Sequence, residues 1–448
     1  MQDDYPLTWA YRVLLWKYWP LANPDAAAFQ QRPGSIAGAG DNPPPNKTFI
    51  PAAVSVTYTL DAPAQASVTL SLDEVLKAAP DFEPYKYCFA VARVLDRGAP
   101  ITDQYVEDES MSTTVPGSSP IIFGGPVWNA QAGIVDRTLT LDGRDFLSFY
   151  ERRLASRGGQ FQTIDRKPSV LLQEMFDDAN ANWGIGTLYS LADGPKHPTW
   201  RYRKYMRFQE TLAQKAYAMA DMPGDEGYYL RCKAFVSPGK FDGDATSWNL
   251  PILRHVVIAT GTRKPEWLNG RTGTSKDVEL TAGRNCEITD VHVDGTGYSS
   301  VGYVIGERPA DELSDPTYVR WDNDDQKAVL PIQDTIVNAQ TGKSDADMKR
   351  LARQAVSFGR DATITPKVVT YPRMFLPEIL DPNTGRNKVK LTARGEHAIG
   401  GAAQWGALDK APYVIVQAKL QVMHDGSDRM ELELAQESKF LTAPGKAA

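Results

Sequence analysis

Several features of this chain have residue types that could do chemistry, first among them five histidines, the acid-rich stretch WDNDDQ and the tripeptide Gly342-Lys343-Ser344. His197, His255, His292, His397 and His424 are scattered, with none of the H-x-H or H-E-x-x-H spacings that bring imidazoles to one metal ion. His255 and His292 fall in strand-like runs and His424 in a turn, so they read as structural or solvated side chains. Gly342-Lys343-Ser344 looks like the end of a phosphate loop. The first glycine of G-x-x-x-x-G-K-[ST] would fall at Val337, however, where the phosphate-cradling turn is not made, and an N-cap at Ser344 is the plainer reading. Asp322, Asp324 and Asp325 lack the glycine that an EF-hand loop needs, and Lys327 intrudes after Gln326. Glu174, Asp177 and Asp178 stand at helical spacings that decorate an outer face and do not by themselves make a glycosidase pair. Gly295 and Gly297 do not complete G-x-G-x-x-G, and no G-x-S-x-G nucleophile elbow occurs. The basic stretch Trp200–Phe208 (WRYRKYMRF) could hold phosphates and stack bases on Tyr202 and Tyr205. An edge strand or an Arg- and Tyr-rich protein interface suits a net acidic chain better. No catalytic, cofactor or metal residue is assigned.

Composition narrows the class further. A chain of 448 residues holds roughly two to four domains. Its hydrophobic content of 42% and charged content of 23% are those of a soluble globular protein. A formal charge of -6 gives no general reason to bind nucleic acid. No apolar run is long enough to cross a bilayer as a helix. The N-terminus opens with two acids, and Arg12 and Lys17 interrupt its apolar part, so it reads as an aromatic strand and not as a secretory signal. Cys88, Cys232 and Cys286 are far apart, which argues against a zinc site or disulfide framework and for synthesis in a reducing cytoplasm.

The elements that must position any site are mostly strands. Val54–Leu60 and Ala66–Leu72 alternate and flank DAPAQ, a hairpin pattern. A short helix fits Leu72–Ala79, then strands fit Tyr87–Leu95, Ile121–Ile134 and Arg137–Leu141. In Gly133–Arg153, the alternation of Thr138–Leu141 is followed by Asp142-Gly143, which reads as a tight turn, and by a helix from Asp145 with Phe146, Phe149 and Tyr150 on one face. The Pro-, Gly- and Asn-rich segment Gln31–Pro51 reads as a long loop or arm. Helices are expected from Pro168 and over Gln209–Ala220. Strands then return at Tyr228–Phe235, His255–Ala259, Cys286–Val293 and Ser300–Ile305. Ser344–Phe358 carries Met348, Leu351, Ala355 and Phe358 on one helical face. Strands follow at Ala362–Tyr371, Lys388–Ala393, Tyr413–Val422 and Arg429–Ala435, the last two joined by the turn MHDGSD. The alternation of MELELA matches that of TLTL in the first unit.

This layout resembles the tail hub, or baseplate hub, proteins of long-tailed bacteriophages, especially minor tail proteins of phages that infect actinobacteria. The resemblance rests on TLTLDGRDFLSFYERR closing the first unit and SVLLQEMFDDAN opening a middle one. It rests also on DMKRLARQAVSF leading through YPRMFLPEILDP to YVIVQAKLQVMHDGSDRMELELA. The chain departs from a Pro-Gly-Asp turn common in relatives, with Pro377 followed by Glu378–Asn387. The resemblance implies a mainly β fold with α+β insertions, in which two tube-like β-barrel domains flank a mixed middle domain. The expected divisions are residues 1–150 (first barrel with its N-terminal strand and arm), 151–343 (middle), 344–440 (second barrel) and 441–448 (polar tail, with no attached lytic domain). It implies a structural virion protein at the tail tip, made in the host cytoplasm. As a homotrimer it would adapt a six-fold tail tube to a three-fold tip and line or close the DNA channel. The partners implied are the distal tail protein ring, the tape-measure protein, and spike, fibre or receptor-binding tail proteins. Gln31–Pro51 and the Asp322 loop are candidate docking segments.

Ten tryptophans and nineteen tyrosines sustain a rival, a carbohydrate-binding or glycan-cleaving β-protein. Sugars stack on exposed aromatic faces, whereas a hub keeps aromatics in cores and subunit interfaces. Trp128, Trp183, Trp248, Trp267 and Trp405 are the residues that discriminate.

Overall fold

The computed structural model describes residues 8–17, 47–59, 62–96, 121–145, 147–152, 161–163, 188–192, 203–205, 228–237, 252–262, 278–306, 317–328, 331–338, 345–358, 363–370, 388–392, 412–423 and 427–436. The chain is mainly β. Its first unit contains β1 (Thr8–Lys17), β2 (Lys47–Phe49), β3 (Ala53–Thr59), β4 (Gln65–Ser71), α1 (Leu72–Ala78), β5 (Tyr87–Asp96), β6 (Ile121–Gly133), β7 (Thr138–Arg144) and the short α2 (Leu147–Tyr150). The strict alternation of β3, β4 and β7 buries every second residue, because successive side chains on a strand point to opposite faces. The strands ladder antiparallel in the order β3-β4-β7-β6-β5-β1-β2.

This sheet curls. Val54, Val56 and Tyr58 of β3 share one hydrophobic cluster with Tyr11, Val13 and Leu15 of β1 and with Phe49 of β2, at the other end of the ladder. The Tyr58 hydroxyl donates to the carbonyl of Ile122 on β6, three strands away in the ladder order, so it crosses the interior. Only residues 50–52 separate β2 from β3, so the chain itself links the two ends of the ladder.

The middle of the chain contributes β8 (Phe161–Thr163), β9 (Leu188–Ala192), β10 (Arg203–Tyr205), β11 (Tyr228–Ser237) and β12 (Ile252–Thr262). They form a pair, β10-β8, and a sheet, β11-β12-β9, with β9 parallel to β12. The helices expected from Pro168 and over Gln209–Ala220 lie outside the described residues.

The second unit begins at β13 (Val278–Thr281) and β14 (Cys286–Asp294). The boundary expected at 343/344 therefore falls inside a single ladder. An α/β insertion follows β14: β15 (Val301–Ile305), β16 (Tyr318–Asp322), α3 (Asp324–Lys327), β17 (Asp334–Asn338) and α4 (Asp345–Phe358). Helix α4 was expected to open the second barrel. It packs instead on the three-stranded sheet β16-β15-β17, with Met348, Leu351 and Ala352 against Val304, Val319, Trp321 and Val337. Its apolar stripe was legible, but a stripe does not name the sheet it covers. The chain then completes the second unit with β18 (Thr363–Thr370), β19 (Lys388–Thr392), β20 (Pro412–Val422) and β21 (Asp428–Gln436).

The second ladder runs β14-β18-β21-β20-β19-β13. Set beside β3-β4-β7-β6-β5, the order β14-β18-β21-β20-β19 has the same chain-order pattern, the last strand of each unit lying between its second and fourth. The match of TLTL with MELELA is thus one of position as well as pattern: β7 and β21 are equivalent strands. The two ladders join where β3 pairs antiparallel with β20, from Val54↔Val422 to Thr59↔Gln417, which makes one thirteen-stranded sheet. No ladder among the described residues closes on itself, so two separate closed barrels are not what the pairings trace.

Candidate functional site: the seam between the two units

Among the described residues, those that could do chemistry are not gathered. His255 lies in β12 and His292 on an exposed position of β14. His197, His397 and His424 lie outside the described residues, as do Glu174, Asp177, Asp178, Gly342-Lys343-Ser344 and residues 31–46 of the arm. Of the basic stretch only Arg203–Tyr205 is described, as strand β10. Val337, where a phosphate loop would start, is a strand residue paired with Val304. In the acid run, Asp322 accepts from Arg320 at 2.7 Å and from Lys327 at 2.9 Å, and Lys327 also meets Asp324 at 2.9 Å. The bond from Arg320, then that from Lys327, holds the Asp322 carboxyl below the usual range, while Asp322, then Asp324, raises the Lys327 ammonium. Among the described residues no cluster of three His, Cys, Asp or Glu could hold a metal. No described helix is long and apolar enough to cross a membrane.

Asp142-Gly143 is not a turn. Both residues stay in β7, paired with Ser67 and Ala66 of β4. A Cβ at Gly143 would strike the Phe89 ring and lie 2.7 Å from the Pro126 carbonyl oxygen. Glycine is there for close approach, a reason that an Asp-Gly pair in sequence does not reveal.

Trp128 is the described member of the discriminating tryptophans. Its indole N–H donates to Ser148 Oγ at 2.9 Å, Phe149 meets it edge-on at 5.8 Å, and the Arg152 guanidinium sits 4.3 Å from the ring centroid. The ring is tied into α2 and its following turn. An open depression of about 610 Å³ beside it is lined by Ser55, Gln65, Ser67, Asp142 and Arg144. Its one carboxylate, Asp142, accepts from Asn129 Nδ2 at 3.2 Å.

The seam is the most built feature of the molecule. Val54 and Val56 of β3 are buried against the same cluster as Leu420 and Val422 of β20. Strand β20 has β21 along one edge from Tyr413 to Val422, so β19 and β3 share its other edge. β19 takes Pro412–Val414 and β3 takes Gln417–Val422. The change of partner coincides with a bulge at Val416, where Ile415 opposes Leu434 and Gln417 opposes Glu433. The extra residue keeps Tyr413 and Ile415 on the buried face together with Ala418, Leu420 and Val422. Strand β6 has a bulge at the corresponding place, Trp128: Val127 opposes Gly143 and Asn129 opposes Asp142 of β7, while Ile121–Pro126 lies along β5 on the other edge.

The tip of the β20–β21 hairpin reaches the far side of the first unit. Tyr11 on β1 donates to Asp428 Oδ2 at 2.6 Å. Burial, then this bond, raises the Tyr11 hydroxyl pKa well above its ordinary value, while Arg93, directly opposite Tyr11 in the β1–β5 ladder, acts the other way. Arg93 is almost wholly buried, as is the Cys286 thiol at the start of β14, whose pKa burial pushes up to about 11. Neither the seam nor the Tyr11–Asp428 bond has a local sequence signal. The bulges leave a faint one, a break in the alternation at Val414–Gln417.

No family model matches the chain, and no curated protein matches it. Solved structures match the chain in fold, among them two over nearly their whole lengths. The tail protein from Neisseria meningitidis MC58 is 11% identical, with a TM-score of 0.53 over 97% of this chain and 99% of that one. The 43 kDa tail protein of prophage MuSo2 from Shewanella oneidensis is 12% identical, with a TM-score of 0.52 over 88% of this chain and 97% of that one. At these identities the likeness is one of fold: this chain is folded like tail proteins.

Proposed function

We propose that the chain is a structural hub of a phage tail tip, with no catalytic role. Three copies form a ring, and with two related β units per chain the ring presents six similar units to a six-fold tail tube and three-fold symmetry to what lies beyond. The observation that carries this reading is the repeated strand order, joined edge to edge within one chain. Each unit acts as a tube-like barrel, closed by the chain itself at the β2–β3 and β13–β14 links, with its interior filled by side chains such as Tyr58, Phe89 and Tyr413. The first unit takes residues 1–150. The second starts at β13 and carries the α/β insertion. The DNA channel then runs between the units, and the ring lines or closes it.

The partners on this reading are the distal tail protein ring, the end of the tape-measure protein, and spike, fibre or receptor-binding tail proteins. In the acid run Asp322 and Asp324 are paired with Arg320 and Lys327, which suits an ordered surface loop that docks a protein. The tethered Trp128 ring supports a structural role over a sugar platform. Native mass spectrometry, with three-fold averaging of particles bound to isolated tail tubes, tests the proposal. A trimer that caps tubes supports it. A monomer that ignores tubes while cleaving glycans overturns it.

A further inference from the structure

The seam has two open counterparts. Pairing each unit strand by strand makes Gly143 equivalent to Leu434 and Val127 to Ile415, since Val127 opposes Gly143 as Ile415 opposes Leu434 next to the bulge. It follows that Asn129–Gly133 of β6 is equivalent to Gln417–Gln421 of β20. On the other side, Ser67 and Lys367 oppose Asp142 and Glu433, which makes Val54, Val56 and Tyr58 of β3 equivalent to Ile288, Val291 and Val293 of β14. Within the chain, β3 and β20 pair. Their equivalents, β14 and the outer half of β6, each keep an edge with no described partner.

Burial marks the same two edges. Val54, Val56 and Tyr58 are 2%, 0% and 7% exposed, whereas Ile288 and Val291 are only partly buried and Val293 is 40% exposed. Ala418 and Leu420 are each 3% exposed, but Ala132, the equivalent of Leu420, is exposed. Beyond β6, Ile134 and Val135 are 70% and 94% exposed. The middle-sheet strand β11 also approaches β6 but forms no ladder with it among the described residues, and Ala132, inward like Leu420, stays exposed.

We propose that these edges pair between copies: β14 of one chain takes the outer half of β6 of the next in the antiparallel register of the internal seam. This rests on the ring reading above and names its joint. The register sets Asn129 opposite Asp294, Gln131 opposite His292, Ala132 opposite Val291 and Gly133 opposite Asp290, with Ile134 covering Ile288. No like charges meet. Glu287, Asp290, His292 and Asp294 on the free edge of β14 keep a single copy soluble, as edge strands require, while the inward Ile288, Val291 and Val293 await cover. The joint is head to tail, so it propagates until the ring closes.

The outward pair Gln131→Cys with His292→Cys tests the register, because directly opposed residues lie within disulfide reach. Mild oxidation of the purified full chain is expected to give covalent dimers and trimers only in the double variant. Gln131→Cys with Glu287→Cys, displaced along the same edge, is expected to give at least ten-fold less. Ile134→Asp, on an exposed turn, is expected to leave the circular dichroism spectrum unchanged and weaken association at least ten-fold. Native trimers without the Gln131–His292 crosslink, or with equal crosslinking in the displaced pair, overturn this joint and leave the hub reading standing. Monomers that neither crosslink nor bind tail tubes overturn both.

Discussion

Tyr11 and Asp428 are 417 positions apart and joined by a 2.6 Å hydrogen bond, so the first described strand of one unit is tied to the last strand of the other. The bond lies at the hairpin tip beyond the β3–β20 seam, with Arg93 opposite Tyr11 in the neighbouring strand. It acts as a second fastening between the two units, where the seam alone would let them hinge about one strand pair.

Tyr11→Phe removes only the hydroxyl. A hydrogen bond to a charged partner contributes about 1.5–3 kcal/mol, and a double-mutant cycle with Asp428→Asn should recover a coupling of that order by urea unfolding. The pH dependence has a fixed sign. The Tyr11 pKa is raised on folding, so its contribution is whole below the unfolded value of about 10 and is lost as pH rises above it. Tyr11→Phe should flatten that alkaline decline; an unchanged slope would show that the bond does not hold in solution.

Gly143→Ala should destabilise the chain by about 1–3 kcal/mol, the range for overpacking a filled core. The added methyl meets the Phe89 ring and the Pro126 carbonyl. Because the ring is one of the two obstacles, Gly143→Ala with Phe89→Leu should be less unstable than the sum of the single changes. Additive losses in thermal melts would count against the close approach.

Deleting Val416 should do far more damage than replacing it. Val416→Ala keeps the bulge and should cost below about 1 kcal/mol, as for a partly exposed position. The deletion turns Tyr413 and Ile415 to the other face, since a one-residue slip reverses every side chain upstream. Hydrogen exchange in Lys388–Thr392 should rise in the deletion only, because β19 pairs with the displaced end of β20.

Two titratable groups give opposite tests. The Asp322 pKa is lowered on folding, so its stabilising contribution is present above the unfolded value near 3.9 and fades as pH falls below it. Asp322→Asn should therefore narrow the stability difference between pH 6 and pH 3. The Cys286 pKa is raised to about 11, so its contribution is lost as pH climbs from about 8.5 through that value. At pH 8 the native thiol should resist alkylation, and mass-spectrometric peptide mapping should find Cys286 labelled only after denaturant is added.

Strands were the legible part of this chain. TLTL, MELELA and YCFAVARVL announce their burial through side-chain alternation or continuous apolarity, which are local properties. Helix α4 was legible for the same reason, through Met348, Leu351 and Ala355. What its stripe covers was not, because β15, β16 and β17 offer a face that nothing within the helix specifies. Asp142-Gly143 misled for a related reason: the pair has turn chemistry in isolation, but Gly143 answers to Phe89 on another strand.

The sequence by itself determined where strands such as β3, β4, β5, β7, β20 and β21 and the helices α1 and α4 form, and that two stretches share an alternating pattern. Tertiary structure alone decided that β7 and β21 are equivalent, that β20 changes partner at Val416, and that β3 closes the seam. The physical reason is that alternation fixes which face of a strand is buried, whereas backbone hydrogen bonding accepts any neighbour. The neighbour is chosen by register, bulges and the shared core, which exist only once distant segments have met.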